Sequence, residues 1–413
     1  KITTSIINSK GEVRTLDSRR SSENKDKIDW AIVFCILMLA LIGLASIFVA
    51  ASHDTGGASV TKQVVSQLIW YAIGIIAVAV IMQFDSEQLW KVAPYAYGFG
   101  IFLLVAVLVL YSRTYYANTG AKSWFALGPL TFQPSEVMKP AYILMMAKVV
   151  VEHNDSHPLR TVKSDWTLIG KLFAWTIPIA LLLRLQNDFG TMLVFFAIMS
   201  GLIIVSGITW RIIAPLFLGV AAVGGTALTL VISNAGRSLL EKIGFQEYQF
   251  ARIDTWLHPS ADTSNQGYQL WQSIKAIGSG GLFGTGFNVS HVYVPVRESD
   301  MIFSVIGENF GFFGSVILIF LYFLLIYEMI RVTFDTRNVF YAFISTGVIM
   351  MILFHVFENV GMSIGLLPLT GIPLPFVSAG GSALIGNMIG IGLIMSMQYH
   401  NKSYMFGADK EFS

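Results

Sequence analysis

From Trp30 almost to its C-terminus, the chain returns at short intervals to apolar runs that carry few or no charged residues. About twenty such residues in a helix cross the hydrocarbon layer of a bilayer. In that layer only helices and closed barrels satisfy their own backbone. This length predicts ten helices, near 30–51, 64–84, 92–111, 136–151, 168–184, 189–208, 211–232, 301–327, 338–360 and 381–398. Of the 413 residues 54% are hydrophobic and 13% are charged, against about 25% charged in an ordinary soluble domain. A water-soluble fold is excluded, and no stretch is left for a separate soluble catalytic domain. The expectation is an all-α polytopic membrane protein, with a tail over 1–28, a ten-helix membrane domain over 29–398 and a second tail over 399–413.

Charge placement sets the expected topology. Residues 1–27 hold seven basic side chains against four acidic ones, ahead of a first apolar run too long for a signal-peptide core. An uncleaved first helix with a cytoplasmic N-terminus follows from the positive-inside rule. An even number of spans returns the C-terminus to the cytoplasm, with Arg160, Lys163, Arg211, Arg331 and Arg337 on the same side. The fourth run is the least regular, because it contains Lys139 and Lys148. A net charge of +2 without a continuous basic stripe does not suit nucleic acid. The single cysteine, Cys35, permits no intramolecular disulfide.

Two connections break the pattern. The segment 233–300, between the seventh and eighth helices, is far longer than an ordinary loop and falls on the outer face. Phe245, Tyr248, Phe250, Trp256, Tyr268, Leu270, Trp271 and Ile277 give it enough apolar surface to fold back on the membrane domain. Tyr268, Trp271, Ile274 and Lys275 share one face of a short helix, as at a membrane interface. The second irregular stretch, Asn359 to Asn401, has no acidic residue, lysine or arginine. Pro368, Pro373, Pro375, Gly371, Gly380 and Gly381 prevent it from being one helix. A re-entrant segment lining a cavity is expected, since irregular backbone at membrane depth needs protein or water around it.

No phosphate loop, HExxH or metal-ligand spacing of the seven histidines is present. The run Gly278 to Gly286 reads as a turn between short helices, or as a nest of N–H groups for an anion. Ionisable residues at or near membrane depth are candidate functional groups. On the outer half these are Glu136, Lys139, Arg184, Asp188, Arg252, Asp254, Asp262, Lys275, Arg297, Glu298, Asp300 and Glu308. Asp188 and Asp300 stand where helix N-caps are expected. Asp262 follows Pro259 in a turn-forming sequence, where an exposed loop carboxylate is the ordinary reading.

Seven phrases, in order, resemble the SEDS family (shape, elongation, division and sporulation), which includes RodA and FtsW. They are Gly120-Ala-Lys-Ser-Trp124, Phe132-Gln-Pro-Ser-Glu136, Gln186-Asn-Asp-Phe-Gly-Thr191, Gly267-Tyr-Gln-Leu-Trp-Gln-Ser273, Ala276-Ile-Gly-Ser-Gly-Gly281, Asp300-Met-Ile-Phe303 and Gly371-Ile-Pro-Leu-Pro-Phe-Val-Ser378. The phrase from Val294 to Asp300 favours the rod-type branch over the division type. The resemblance implies a peptidoglycan glycosyltransferase that polymerises lipid II at the outer face of the bacterial cytoplasmic membrane and releases undecaprenyl diphosphate. Its implied partner is a class B penicillin-binding protein. Asp262 matches the family's essential aspartate, placed to take the proton of the acceptor sugar's 4-hydroxyl. Lys139, Glu136, Lys122, Arg252, Lys275 and Ser378 are the implied substrate and diphosphate-binding residues, Lys139 as a cation for the leaving group and Glu136 as its orienting partner.

A divalent cation, Mg²⁺ or Mn²⁺, suits a diphosphate, although no sequence motif demands one. The sequence departs from the family pattern at Ser123, Asn187, Phe189 and Val296. A lipid II flippase is the competing function, and a non-catalytic scaffold would leave Asp262 without a task. A partner's transmembrane helix is expected on the small-residue face of Gly361 and Gly365.

Overall fold

The computed structural model describes residues 28–54, 59–127, 130–242, 247–261 and 266–407, and the backbone pairing of Ser5–Ile7 with Val13–Thr15. The helices are α1 (Trp30–Ser52), α2 (Val60–Ile81), α3 (Ser86–Leu110), α4 (Arg113–Thr119), α5 (Pro134–Ser156), α6 (Val162–Gln186), α7 (Phe189–Val205), α8 (Trp210–Ile232), α9 (Asn234–Lys242), α10 (Glu247–Leu257), α11 (Gln266–Ser279), α12 (Ile302–Thr336), α13 (Val339–Ser363) and α14 (Gly381–Gly407). Each of the ten predicted spans falls on one of them. Eight are long and apolar enough to cross a membrane on their own. The other two are α7, apolar but only 17 residues long, and α5.

The polarity of α5 has a packing cause. Sixteen of its 23 residues are buried, and it packs against α3, α13, α14, α6 and α7. Its polar side chains therefore meet protein rather than lipid. Helix α8 is the opposite case, with only Ile212 and Ile213 buried and its contacts going to α9 and α10. An apolar helix needs no protein cover where lipid replaces water as its surroundings.

Hydrogen bonds gather the connections at two ends, in the alternation that the spans predict. At one end the Arg160 guanidinium bonds Asp165 Oδ1 (3.4 Å), Asn154 Oδ1 (2.7 Å) and the Ser206 carbonyl (2.5 Å), joining the α5–α6 and α7–α8 turns. His400 and Ser396 of α14 reach the Met82 and Phe84 carbonyls of the α2–α3 turn there. At the other end, Lys122 N donates to the Gln186 carbonyl (2.8 Å) and Gln133 Nε2 to Asp188 Oδ2 (3.0 Å). His53 contacts the Asn288 carbonyl (3.0 Å), and Arg297 donates to the Ala50 carbonyl (3.3 Å).

The described residues of the long 233–300 segment are folded, as its composition predicts. It contains α9, α10, a 3₁₀ turn (Pro259–Ala261) and α11. Helix α11 buries Gly267, Leu270, Ser273 and Ala276 against α12 and α13 and leaves Trp271 and Lys275 exposed, with Lys275 Nζ 5.9 Å from the Trp271 ring.

The glycine run after α11 is neither a free turn nor an open anion nest. Its backbone lies directly on α12, where Gly311 (φ 64°, ψ −157°) interrupts the helix. Phe312 N and Phe313 N, freed by that break, donate to the Gly281 and Leu282 carbonyls at 2.9 and 3.2 Å. Thr285 N and Gly286 N donate to the Glu308 and Asn309 carbonyls. A Cβ at Gly280 would overlap the Gly307 carbonyl, whereas one at Gly278 meets nothing within 4 Å.

The 364–380 stretch is non-helical, as predicted, and is clamped between α1, α2, α12 and α13. Tyr71 donates to the Phe376 carbonyl (2.5 Å), Tyr322 to Pro375, Gln67 to Ser378 (3.3 Å) and Asn359 to Ile372 (2.8 Å). At Gly43 of α1, a Cβ would come within 2.6 Å of the Val377 carbonyl.

Overpacking of this kind costs about 1–3 kcal/mol. Gly280→Ala should therefore lower the thermal unfolding midpoint in detergent by several degrees, and Gly278→Ala, two residues earlier in the last turn of α11, should leave it in place.

Candidate functional site

Three ionisable side chains meet deep inside the bundle. Lys139 Nζ donates to Glu136 Oε1 at 2.8 Å, one turn away on α5, and lies 3.0 Å from His355 Nε2 on α13. All three are buried, between 1% and 3% exposed. Helix α14 closes the third side, where Gly386 abuts the Glu136 carbonyl. An ion pair out of water persists only when well paired, and removing one partner costs about 3–5 kcal/mol. The pairing of Glu136 with Lys139 follows the sequence expectation. His355 was missed, because a search for metal spacing among histidines overlooks a lone imidazole on an apolar helix. Its position in mid-span was the available signal.

Above the triad lies the 364–380 segment. Ser363, the last residue of α13, stands about 12 Å from His355 along the helix axis, at about 1.5 Å per residue. Ser273 Oγ of α11 donates to the Ser363 carbonyl (2.8 Å) and Trp256 Nε1 of α10 to the Gly365 carbonyl (3.0 Å). The elements on both sides of residues 262–265 are thus anchored at the end of α13. Asp262 itself lies outside the described residues. Arg252 belongs to α10, but its side chain also lies outside them.

The remaining candidates are dispersed. Lys122 Nζ sits over the rings of Tyr111 (5.3 Å) and Tyr116 (5.6 Å), in the link between α3 and α5. Lys275 is exposed on α11. The Ser378 hydroxyl accepts from Leu374 N (2.8 Å) and donates to the Ser299 carbonyl (2.7 Å). It pins the irregular segment to residue 299, so in this conformation its proton is not offered to a ligand. Asp188 caps α7 through Thr191 N (3.2 Å). Asp300 does not cap α12, whose N-cap is Met301. It accepts from Ser299 Oγ (2.9 Å), and its backbone carbonyl accepts from Asn359 Nδ2 (2.8 Å). Its carboxylate lies beside Gly371, where a Cβ would be 3.3 Å from Oδ2. Burial pushes the Asp300 carboxyl up to about 6, with Glu298 adding to the rise.

Two buried charges organise the connection before α12. Glu308 Oε1 accepts from His291 N (2.6 Å) and Val292 N (3.0 Å), and Arg297 bonds Ser290 Oγ (2.7 Å) as well as Ala50. Among the described residues no group of three or more His, Cys, Asp or Glu is placed to hold a metal ion.

A helical bundle with a folded long connection and a buried Glu–Lys–His cluster defines a polytopic membrane protein with an internal polar site. The family model for cell cycle proteins of the FtsW, RodA and SpoVE type matches residues 26–403, and the chain belongs to that family. The peptidoglycan glycosyltransferase MrdB of Escherichia coli (strain K12) is 32% identical over 391 residues, covering 93% of this chain and 97% of that protein. The solved structure described as structural coordination of polymerization and crosslinking by a peptidoglycan synthase complex is 26% identical, with a TM-score of 0.73, covering 91% of this chain and 98% of that one. The crystal structure of Thermus thermophilus Rod shape determining protein RodA is also 26% identical, with a TM-score of 0.63, covering 90% and 96%.

A carboxyl raised on folding adds stability that is complete below its unfolded value, about 3.8, and is lost as pH rises through its folded value. The wild-type midpoint should fall between about pH 4 and pH 7, and Asp300→Asn should flatten that fall. Identical pH profiles would refute the assignment.

Proposed function

We infer that the chain is a peptidoglycan glycosyltransferase that polymerises lipid II into glycan strands for cell elongation and shape. It works in the bacterial cytoplasmic membrane with both termini on the cytoplasmic side. The observation that carries this reading is a match along 97% of a protein named for that activity, on a fold shared with a peptidoglycan synthase complex.

The chemistry assigns roles to the residues. Asp262 takes the proton from the acceptor 4-hydroxyl as its oxygen attacks the donor's anomeric carbon. The bond from that carbon to the diphosphate oxygen breaks, and undecaprenyl diphosphate leaves. Lys139, held by Glu136, supplies positive charge for the leaving diphosphate, with Lys122, Arg252 and Lys275 as outer cations and Ser378 bracing the segment above. A divalent cation enters the proposal as an ion carried by the diphosphate.

The partner is a class B penicillin-binding protein. Support comes from the apolar groove between α12 and α13, lined by Ile319, Tyr322, Phe323, Leu353, Phe357 and Gly361. A transmembrane helix fits such a groove beside Gly361. Gly365 is covered by Ile274 of α11 and Gly361 by Leu367, so the small-residue face expected from sequence is already packed, and the groove presents its aromatic and aliphatic side chains instead.

Purified protein with its partner and lipid II should yield glycan polymer, and Asp262→Ala should reduce it at least a hundredfold while the protein still folds and binds its partner. Transfer of labelled lipid II across liposomes without polymer would favour a flippase instead. In pull-downs, Phe323→Ala with Phe357→Ala should weaken partner recovery at least tenfold, and unchanged recovery would move the interface elsewhere.

A further inference from the structure

The Lys139 ammonium has three N–H donors and no acceptor. Glu136 and His355 take two of them. An ammonium can only donate, so Nε2 of His355 must accept, which puts the imidazole proton on Nδ1. The Nδ1 atom is buried and has no protein partner among the described residues, so no donor facing it pulls the ring into the opposite tautomer. No other described cation competes for the ring. Helix α7, and α14 as far as Gln398, carry no Asp, Glu, Lys or Arg. On α12, Glu308 is held by His291 N and Val292 N, and Glu328 pairs with Arg331 at 3.2 Å. Lys275 of α11 lies over Trp271, and Glu358 shares α13 with the imidazole.

We propose that His355 is a positioning residue for glycan polymerisation: its imidazole, protonated at Nδ1, accepts at Nε2 from Lys139 and fixes the ammonium, leaving one donor for the substrate's diphosphate. This rests on the polymerase reading above. Lysine carries its charge on a flexible four-carbon stem, and Glu136 alone restrains it at one point. A second acceptor from another helix sets its direction. Charge on the diphosphate grows as the leaving group departs, so a misdirected ammonium lowers kcat more than it raises KM.

The full chain with its partner and lipid II gives the test. His355→Leu removes the acceptor and should lower kcat at least tenfold, with KM moving less than about threefold. His355→Gln restores an acceptor oxygen and should recover most of the lost kcat. Leucine at wild-type kcat, or glutamine no better than leucine, overturns the proposal. Absence of polymer from the wild-type protein overturns the polymerase reading instead. Histidine-selective 15N spectra decide the bond independently of activity, and of whether the leucine variant folds. The resonance lost in His355→Gln should show a protonated Nδ1 and a bare Nε2 from pH 6 to 8, and an imidazolium or an Nε2–H tautomer there refutes the contact.

Discussion

Backbone that leaves a helix at membrane depth must still find hydrogen-bond partners, because an unsatisfied peptide group in hydrocarbon costs several kcal/mol. The end of the bundle that carries the 233–300 and 364–380 segments is arranged around that constraint. The 364–380 stretch takes donors from Tyr71 and Gln67 of α2, Tyr322 of α12 and Asn359 of α13. Gly43 lets α1 approach the same backbone. The break at Gly311 is resolved in the same way, by carbonyls of the glycine run. The end of α13 and the start of the 364–380 stretch in turn anchor α11 through Ser363 and α10 through Gly365.

A second constraint is electrostatic. Glu136, Lys139 and His355 would be untenable against lipid, so they occupy the one environment that tolerates them, the centre of the bundle. That requirement explains why α5 is both the least apolar of the long helices and among the most buried. The opposite assignment falls to α8, which is apolar almost throughout and almost uncovered. Hydropathy ranks these two helices in reverse order of their burial, because in a bilayer the apolar faces look outward and the polar groups are kept within.

The helices were legible because their apolar runs match the thickness of a bilayer, and the irregularity of 359–401 because proline and glycine cannot continue a helix. The folded nature of 233–300 was legible from its aromatic residues. The pairing of Glu136 with Lys139 was expected from the family resemblance, and the structure shows the contact. Other features depended on contacts that no local pattern encodes. The glycine run was open to two readings until its docking on α12 showed that its carbonyls answer the break at Gly311. Asp300 had the position of a cap and instead faces Gly371. Ser378 was a candidate ligand residue and braces the backbone. His355 offered only its mid-span position as a signal, since its partner is a lysine 216 residues away.

The sequence by itself determined that the chain is a helical membrane protein, where its helices run, and which family its ordered phrases resemble. These follow from length, hydropathy and composition, which act locally along the chain. The tertiary structure alone decided which charges meet, which helix is central and how the irregular backbone is satisfied. Those outcomes are set by packing between residues far apart in sequence, and a buried charge or peptide group is stabilised only by the particular partner that reaches it.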